Sequence, residues 1–282
     1  VLDITKDAQN GMLEYAYKKA TFIRSYQPKP DIKLSEIEIA AKMINEAKKP
    51  LALVGQGVIL GGAEKELLDF IEKTGIPAAS TILGLSAIPT DHPLNVGMLG
   101  MHGNIGPNLK TNECDVLIAI GMRFDDRVTG DLDTYAKQAK IIHFDIDKAE
   151  INKNVQVTTR VLGDVKETLP EITKWLKENK YPEWLQEFKD CYKKEYDVVI
   201  ESELYPTSGQ LKMGEVINKV SEATGNKAVL VTDVGQHQMM AVRYFKYNQT
   251  RSVVTSGGLG TMGFGLPAAI GAKYGTPDRT VC

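Results

Sequence analysis

The sequence is poor in the features that mark several whole classes of protein. It has three cysteines in 282 residues, and Cys114, Cys191 and Cys282 are odd in number and far apart. No disulfide framework is expected, and a reducing compartment fits better. Neither sign of charge is in excess: 34 basic against 36 acidic residues give a formal net charge of −2, so neither nucleic acid nor a charged binding tail is indicated. No apolar run approaches the ~18 residues of a membrane span, and the first residues lack a signal peptide's charged-then-apolar order. His92 and His143 have no metal-ligand spacing with Cys114, and no zinc site is expected. His143 reads as structural because it sits inside a strand, and His92 because it sits in a proline-containing loop. Neither a Gly-x-Ser-x-Gly elbow nor a cysteine–histidine motif argues for nucleophilic catalysis.

What is present is ordinary in bulk and informative in pattern. The 43% hydrophobic and 25% charged content is that of a soluble globular protein, and the length suggests about two domains. Val116 to Ile120 is a continuous apolar run, the mark of a strand buried on both faces of a parallel sheet. Similar runs are expected at Leu51–Val54, Ile76–Ser80, Ile141–Asp145 and near Thr158–Leu162. Helices are expected from Ser35, where Ser35 and Glu38 suggest a capping box, to Ala47, from about Gly62 to Lys73 with Gly75 as a left-handed cap, and from Val165 to Leu176. Strands alternating with helices predict a doubly wound parallel α/β sheet over 31–177. Before it, 1–30 includes the proline-bearing linker Gln27-Pro28-Lys29-Pro30. After it, 178–206 reads as a connector with a short helix around Trp184 to Tyr196, and 207–282 as a second α/β unit. Val1–Ile4 and Arg279–Cys282 both read as strands cut short, so a piece of a longer protein is expected.

Function points to the strand ends. In an open α/β sheet ligands collect where the carboxyl ends of the strands emerge. There the sequence places Gly55-Gln56-Gly57, Thr81 to Gly84, Gly121 to Arg127, Asp145-Ile146 and Gly163-Asp164. Glycines let a backbone approach a ligand and can aim N–H groups at phosphate, although Gly55-Gln56-Gly57 reads equally as a plain strand-to-helix turn. Arg123, Asp125, Asp126 and Arg127 can pair among themselves as surface salt bridges, or face a diphosphate or carboxylate. Asp145 can accept from ribose or ribityl hydroxyls. His102, between glycines, can donate to a ligand or cap a turn. In the second unit, Gly235-Gln236-His237 falls at a helix start, a natural diphosphate cradle. Five glycines between 257 and 265, with Met262 among them, allow a second close approach with an apolar support for a flat ring. They also allow plain helix packing with Met262 as core. The whole suggests a nucleotide-type cofactor.

These residues resemble the large catalytic subunits of the acetolactate synthase (acetohydroxyacid synthase) family of thiamine-diphosphate enzymes. The likeness is carried by GMRFDDRVTG (121–130), STILGL (80–85), LGMHG (99–103), DVGQHQM (233–239) and TSGGLGTMGFGLPAAIGA (255–272). It implies a central FAD-binding, DHS-like domain followed by an incomplete diphosphate-binding domain. FAD contacts are implied at Arg24, Gly55, Thr81 and Ile82, at Leu99, Met101 and His102, and at Gly121, Arg123, Asp125, Arg127 and Val128. Further FAD contacts are implied at Asp145, Ile146, Asp164 and Val165. Gly55-Gln56-Gly57 departs from the family's triple glycine. Thiamine diphosphate contacts are implied at Gln236, His237, Gly260 and Met262, where Met262 holds the cofactor bent. Arg127 is implied to steer a substrate carboxylate. Magnesium ligands are implied beyond residue 282. The resemblance implies decarboxylation of pyruvate and transfer of its two-carbon unit to pyruvate or 2-ketobutyrate, in branched-chain amino-acid biosynthesis. A full-length homodimer or tetramer, a small regulatory subunit, and a cytoplasmic or organellar location are implied with it. The 282 residues alone are expected to be inactive. A flavin-dependent pyruvate oxidase, a glyoxylate carboligase and a non-catalytic nucleotide-binding module are the competing readings.

Overall fold

The computed structural model describes residues 4–19, 28–207 and 209–282. The expected opening strand therefore falls, but for Ile4, outside the described residues, as does Arg24. A short exposed helix, α1 (Lys6–Asn10), comes first.

The first long helix, α2 (Leu34–Glu46), forms because Ile37, Ala40, Ala41 and Ile44 recur on one face and are all buried. Its N-cap is Lys33, with no side-chain hydrogen bond, so the expected Ser35–Glu38 capping box is not formed. The chain turns helical one residue ahead of Ser35, which leaves that hydroxyl inside the first turn. Beyond α2 the Asp115 carboxylate accepts from the backbone N–H groups of Lys48 and Lys49 at 2.7 and 2.9 Å. That pair of bonds ties the entry of the first strand to the entry of the fourth.

Six parallel strands follow: β1 (Pro50–Val54), β2 (Ala78–Ser80), β3 (Asn95–Met98), β4 (Val116–Ile120), β5 (Lys140–Asp145) and β6 (Thr159–Leu162). Their order across the sheet is β3-β2-β1-β4-β5-β6, the doubly wound arrangement expected. Between them run α3 (Gln56–Gly61), α4 (Glu64–Thr74), α5 (Ile105–Thr111) and α6 (Asp126–Thr129), and α7 (Val165–Trp175) closes the unit. Alternation within the strands feeds two cores. Ala52, Val54, Ile118, Ile120, Ile142 and Phe144 pack with α2, α4 and α7. Leu51, Leu53, Leu117, Ala119 and Ile141 pack on the other face, under Trp184 and Phe188.

Two elements depart from expectation. The helix expected from about Gly62 to Lys73 is α4, capped by Gly75 at φ +65° as expected, but a further short helix, α3, precedes it and ends at Gly62, which takes φ +64°. β3 falls in a stretch that reads as turns. It is a four-residue edge strand, mostly half-buried, with Gly97 at φ +104° and a shifted register against β2, so it carries no alternating apolar signal.

The helix in the connector is longer than expected. α8 (Pro182–Glu195) runs through a π-turn at Tyr196–Ile200 into α9 (Glu201–Leu204), and Trp184 Nε1 donates to the Pro50 carbonyl at 2.8 Å. The second unit has α10 (Met213–Ala223), β7 (Leu230–Thr232), α11 (Gln236–Tyr244), β8 (Val253–Thr255) and α12 (Gly265–Gly275). β7 and β8 are parallel neighbours, and Val281 bridges to Val229. This unit docks on the first through backbone and side chain alike. Thr90 N donates to the Tyr247 carbonyl, Tyr247 N to Thr90 Oγ1, and Ser252 N to Ser86 Oγ. Deeper in the junction the Glu195 carboxylate, 1% exposed, is ion-paired with Arg243 of α11 and accepts from Asn104 Nδ2 and Ile105 N. Among the described residues no helix is long and apolar enough to cross a membrane.

Candidate functional site

The strand order reverses between β1 and β4, and a cleft of about 510 Å³ opens there. Its walls are the turns after five strands. Gly55, Gln56 and Gly57 follow β1, and Thr81 and Ile82 follow β2. Gly121, Arg123, Asp125, Arg127 and Val128 follow β4, Asp145 and Ile146 close β5, and Asp164 and Val165 follow β6. Thr81, Arg123 and Asp145 thus line one shared cleft.

The charged loop after β4 is held from below. Phe124, 2% exposed, adopts φ +53° and packs edge-on against His143 at 5.0 Å and Tyr135 at 6.2 Å. A positive φ at a bulky residue costs about 1–3 kcal/mol and persists only where packing fixes it. With Phe124 anchored inward, its neighbours Arg123 and Asp125 face outward. Arg123 Nη2 meets Asp125 Oδ2 at 2.8 Å and Arg127 Nη1 meets Asp126 Oδ2 at 3.7 Å, so the loop does pair within itself. Both guanidinium groups are exposed, and exposed pairs are weak enough to exchange for a ligand anion. Burial pushes the Asp125 carboxyl up, but the Arg127 N–H and the two arginine charges prevail and hold it below the usual range.

The other end of the cleft is acidic. Asp145 is buried and accepts from Asp147 N at 2.8 Å. Asp164 caps α7 by accepting from Lys166 N at 3.0 Å, and Asp147 and Glu150 complete that wall. Arginines at one end and carboxylates at the other suit an elongated ligand with anionic and hydroxyl-rich parts. His143 is structural, as read from the sequence. Its Nε2 lies 2.7 Å from the Met122 carbonyl, so it carries the proton, and buried Nδ1 has no partner among the described residues.

The turn after β1 works differently from one reading of it. Gly55 N donates to Ile120 O and Gly57 N to Gly121 O, each at 2.9 Å, so these N–H groups are not aimed at phosphate. A Cβ on Gly55 would stand 2.2 Å from Gly121 O. The glycines are there because two strand turns touch.

Leu99 and Met101 line a second cavity, of about 340 Å³, with Asn108 and Tyr135. Arg127 and Val128 line both cavities, so the loop after β4 is the partition between them. Met101 N donates to Arg127 O at 2.8 Å. His102 is exposed and lines neither.

In the second unit Gln236 and His237 open α11 behind Gly235 at φ +146°. Gly260 and Met262 lie in the loop before α12. Met262 is 79% exposed, so it is not core within this chain. Asp233 is a residue that sequence reasoning missed. Its carboxylate accepts from Val234 N at 2.8 Å and from Gly263 N and Gly265 N at 3.0 Å, and those N–H groups, Gly265 first, hold its carboxyl below the usual range. Gly257 and Gly258, read from the sequence as part of a second close approach, line the first cleft instead. Among the described residues no group of three or more His, Cys, Asp or Glu could hold a metal ion.

The sequence has counterparts among known proteins. A thiamine pyrophosphate enzyme central domain matches residues 37–172, and a thiamine pyrophosphate enzyme C-terminal TPP-binding domain matches 233–282. The acetolactate synthase large subunit of Corynebacterium glutamicum is 41% identical over 100% of this chain and 45% of its own length. A probable acetolactate synthase large subunit of Methanocaldococcus jannaschii is 42% identical over 99% of this chain and 49% of its own. The chloroplastic acetolactate synthase of Arabidopsis thaliana is 41% identical, over 100% and 42% respectively. The chain spans about half the length of the curated relatives it matches.

Proposed function

Because this chain belongs to the thiamine pyrophosphate enzymes and is homologous along its whole length to acetolactate synthase large subunits, we propose that it is the central domain and the start of the C-terminal domain of an acetolactate synthase catalytic subunit. The reaction is decarboxylation of pyruvate and condensation of its two-carbon unit with a second 2-keto acid. The products are 2-acetolactate or 2-aceto-2-hydroxybutyrate, which lead to branched-chain amino acids. Bound thiamine diphosphate, with magnesium, would supply the nucleophilic carbon that this chemistry needs.

This chain's own residues have three tasks. The switch-point cleft takes FAD: Arg123 and Arg127 meet the diphosphate, and Asp145 and Asp164 accept from hydroxyls. Thr81 and Ile82 hold the cofactor from the β2 side, and Val128 supplies an apolar contact. Gln236, His237 and Gly260 would receive the thiamine diphosphate, and the exposed Met262 would give it apolar support. Arg127, reaching both cavities, orients a substrate carboxylate. Leu99 and Met101 belong to the approach beside it, and His102, outside both cavities, follows them on the exposed turn. The intact subunit works as a homodimer or tetramer, with or without a small regulatory subunit, in the cytoplasm or an organelle.

One observation carries the FAD reading: a single cleft collects the turns after five strands, with arginines at one end and carboxylates at the other. Titration of the chain with FAD, followed by flavin fluorescence, tests it. Saturable quenching is expected, and none at any concentration overturns it. The chemistry is tested on a full-length polypeptide given pyruvate. Acetolactate is expected, whereas acetyl phosphate with peroxide, or tartronate semialdehyde from glyoxylate, assigns another thiamine enzyme.

A further inference from the structure

The loop before α12 touches both candidate sites. At one end Gly257 and Gly258 line the switch-point cleft. Gly257 lies so close to the β2 turn that a Cβ there would stand 2.8 Å from Leu83 Cδ2. A few residues on come Gly260 and Met262. At its far end the loop is held by one side chain, since Asp233 Oδ2 accepts from both Gly263 N and Gly265 N. The same carboxylate accepts from Val234 N, two residues ahead of Gln236 and the start of α11. Steric contact adds to this, because a Cβ on Gly265 would stand 3.0 Å from Asp233 N.

Between these two anchors the loop has little else to hold it. A Cβ at Gly258, Gly260 or Gly263 would meet nothing within 4 Å. Gly260 and Gly263 take φ +62° and +83°, where glycine loses nothing but other residues are strained. The internal bonds are Gly260 N to Ser256 O and Thr261 N to Ser256 Oγ, at 2.8 and 2.9 Å. A segment with so few packed contacts takes its position from its ends.

We propose that Asp233 is a positioning residue for the switch-point cleft: β8 and the Gly257–Leu83 contact fix the near end of the 256–265 loop, and Asp233, by clamping its far end to the start of α11, completes the hold that keeps Gly258 as a wall of that cleft. The cleft and the start of α11 are then coupled, and each ligand raises affinity for the other by the same factor. The proposal rests on the reading of the cleft as an FAD site, but Asp233 itself does not line the cleft.

The experiment is hydrogen–deuterium exchange by mass spectrometry on the 282-residue chain, wild type and Asp233→Asn, with and without FAD, beside FAD titration of both. Asparagine keeps the shape but replaces one acceptor oxygen with a donor. In wild type, FAD is expected to slow exchange severalfold in peptides covering 256–262. Without ligand, Asp233→Asn is expected to speed exchange in both 256–262 and 263–270. It is also expected to weaken FAD binding severalfold, because a loosened wall has to be ordered when the ligand binds, while circular dichroism shows a folded chain. Faster exchange confined to 263–270, or unchanged FAD affinity in the variant, overturns the proposal. If wild type binds no FAD, the cleft reading fails on its own, and the unliganded comparison still decides whether Asp233 holds the 256–262 wall.

Discussion

Gly57 and Gly121 meet across the switch point so closely that a Cβ on either would stand 2.7 Å from the other's Cα. The contact joins the turn after β1 to the turn after β4 at the floor of the cleft, and Gly57 N hydrogen-bonds Gly121 O within it. Gly121 is doubly constrained, since it also takes φ +62°.

Gly121→Ala is therefore expected to destabilise the chain by about 2–4 kcal/mol, a left-handed backbone cost of about 1–2 added to overpacking against backbone. Gly62→Ala is the control. Gly62 is left-handed at φ +64°, ψ +35°, but a Cβ there would meet only Arg251 Nη2, at an ordinary 3.7 Å, so only the conformational cost of about 1–2 kcal/mol applies. Urea unfolding of both variants measures the difference, and equal losses would show that the glycine contact carries no steric constraint.

Arg123→Ala is expected to weaken FAD binding about tenfold or more, because a charge-assisted contact to phosphate is lost. Arg123→Lys should recover only part of it, as the planar fork is not replaced. Fluorescence titration at two salt concentrations checks both, and the wild type should show the steeper salt dependence. Binding indifferent to Arg123→Ala would move the flavin elsewhere.

Glu195→Gln should cost about 2–4 kcal/mol, since it leaves the Arg243 charge without its counter-ion in a buried junction. Replacing both Glu195 and Arg243 with methionine should cost less than the sum of the two single replacements. Denaturant unfolding of the cycle yields the coupling energy, and strict additivity would mean that the pair is not a unit.

The Asp233 clamp sets a pH dependence. Its folded carboxyl lies below the ordinary value of 3.8, so the ionised form is favoured by folding. That contribution is complete above the unfolded value and is lost as pH falls through the folded one. Unfolding midpoints of wild type and Asp233→Asn should therefore converge on acidification, from a gap that is full above about pH 4. A gap that widened toward acid pH would reverse the sign of the argument.

The sequence displays what depends on neighbours along the chain. Val116–Ile120 reads as a strand because it is buried on both faces, and the charged turn that follows reads as a ligand wall because a parallel sheet exposes that end. Gly75 reads as a left-handed cap from its place after a helix. What stays hidden depends on contacts across the fold. β3 is an edge strand broken by Gly97, so burial leaves no pattern in it. The glycines at 55 and 57 read equally as a phosphate turn or a plain strand-to-helix turn until Gly121 is found against them. Glu195 and Arg243 are 48 residues apart in sequence, and no local pattern marks either as buried and paired. Asp233 reads only as the residue after a strand, because its partners lie about thirty residues on.

The partition formed by Arg127 and Val128 is a single thickness of chain with a chamber on each side. Neither chamber can be resized alone at these positions: a bulkier side chain at 128 encroaches on one or displaces the strip into the other. A substitution at Val128 that refits one chamber is thus felt in the other, so the two volumes are tied together at this strip.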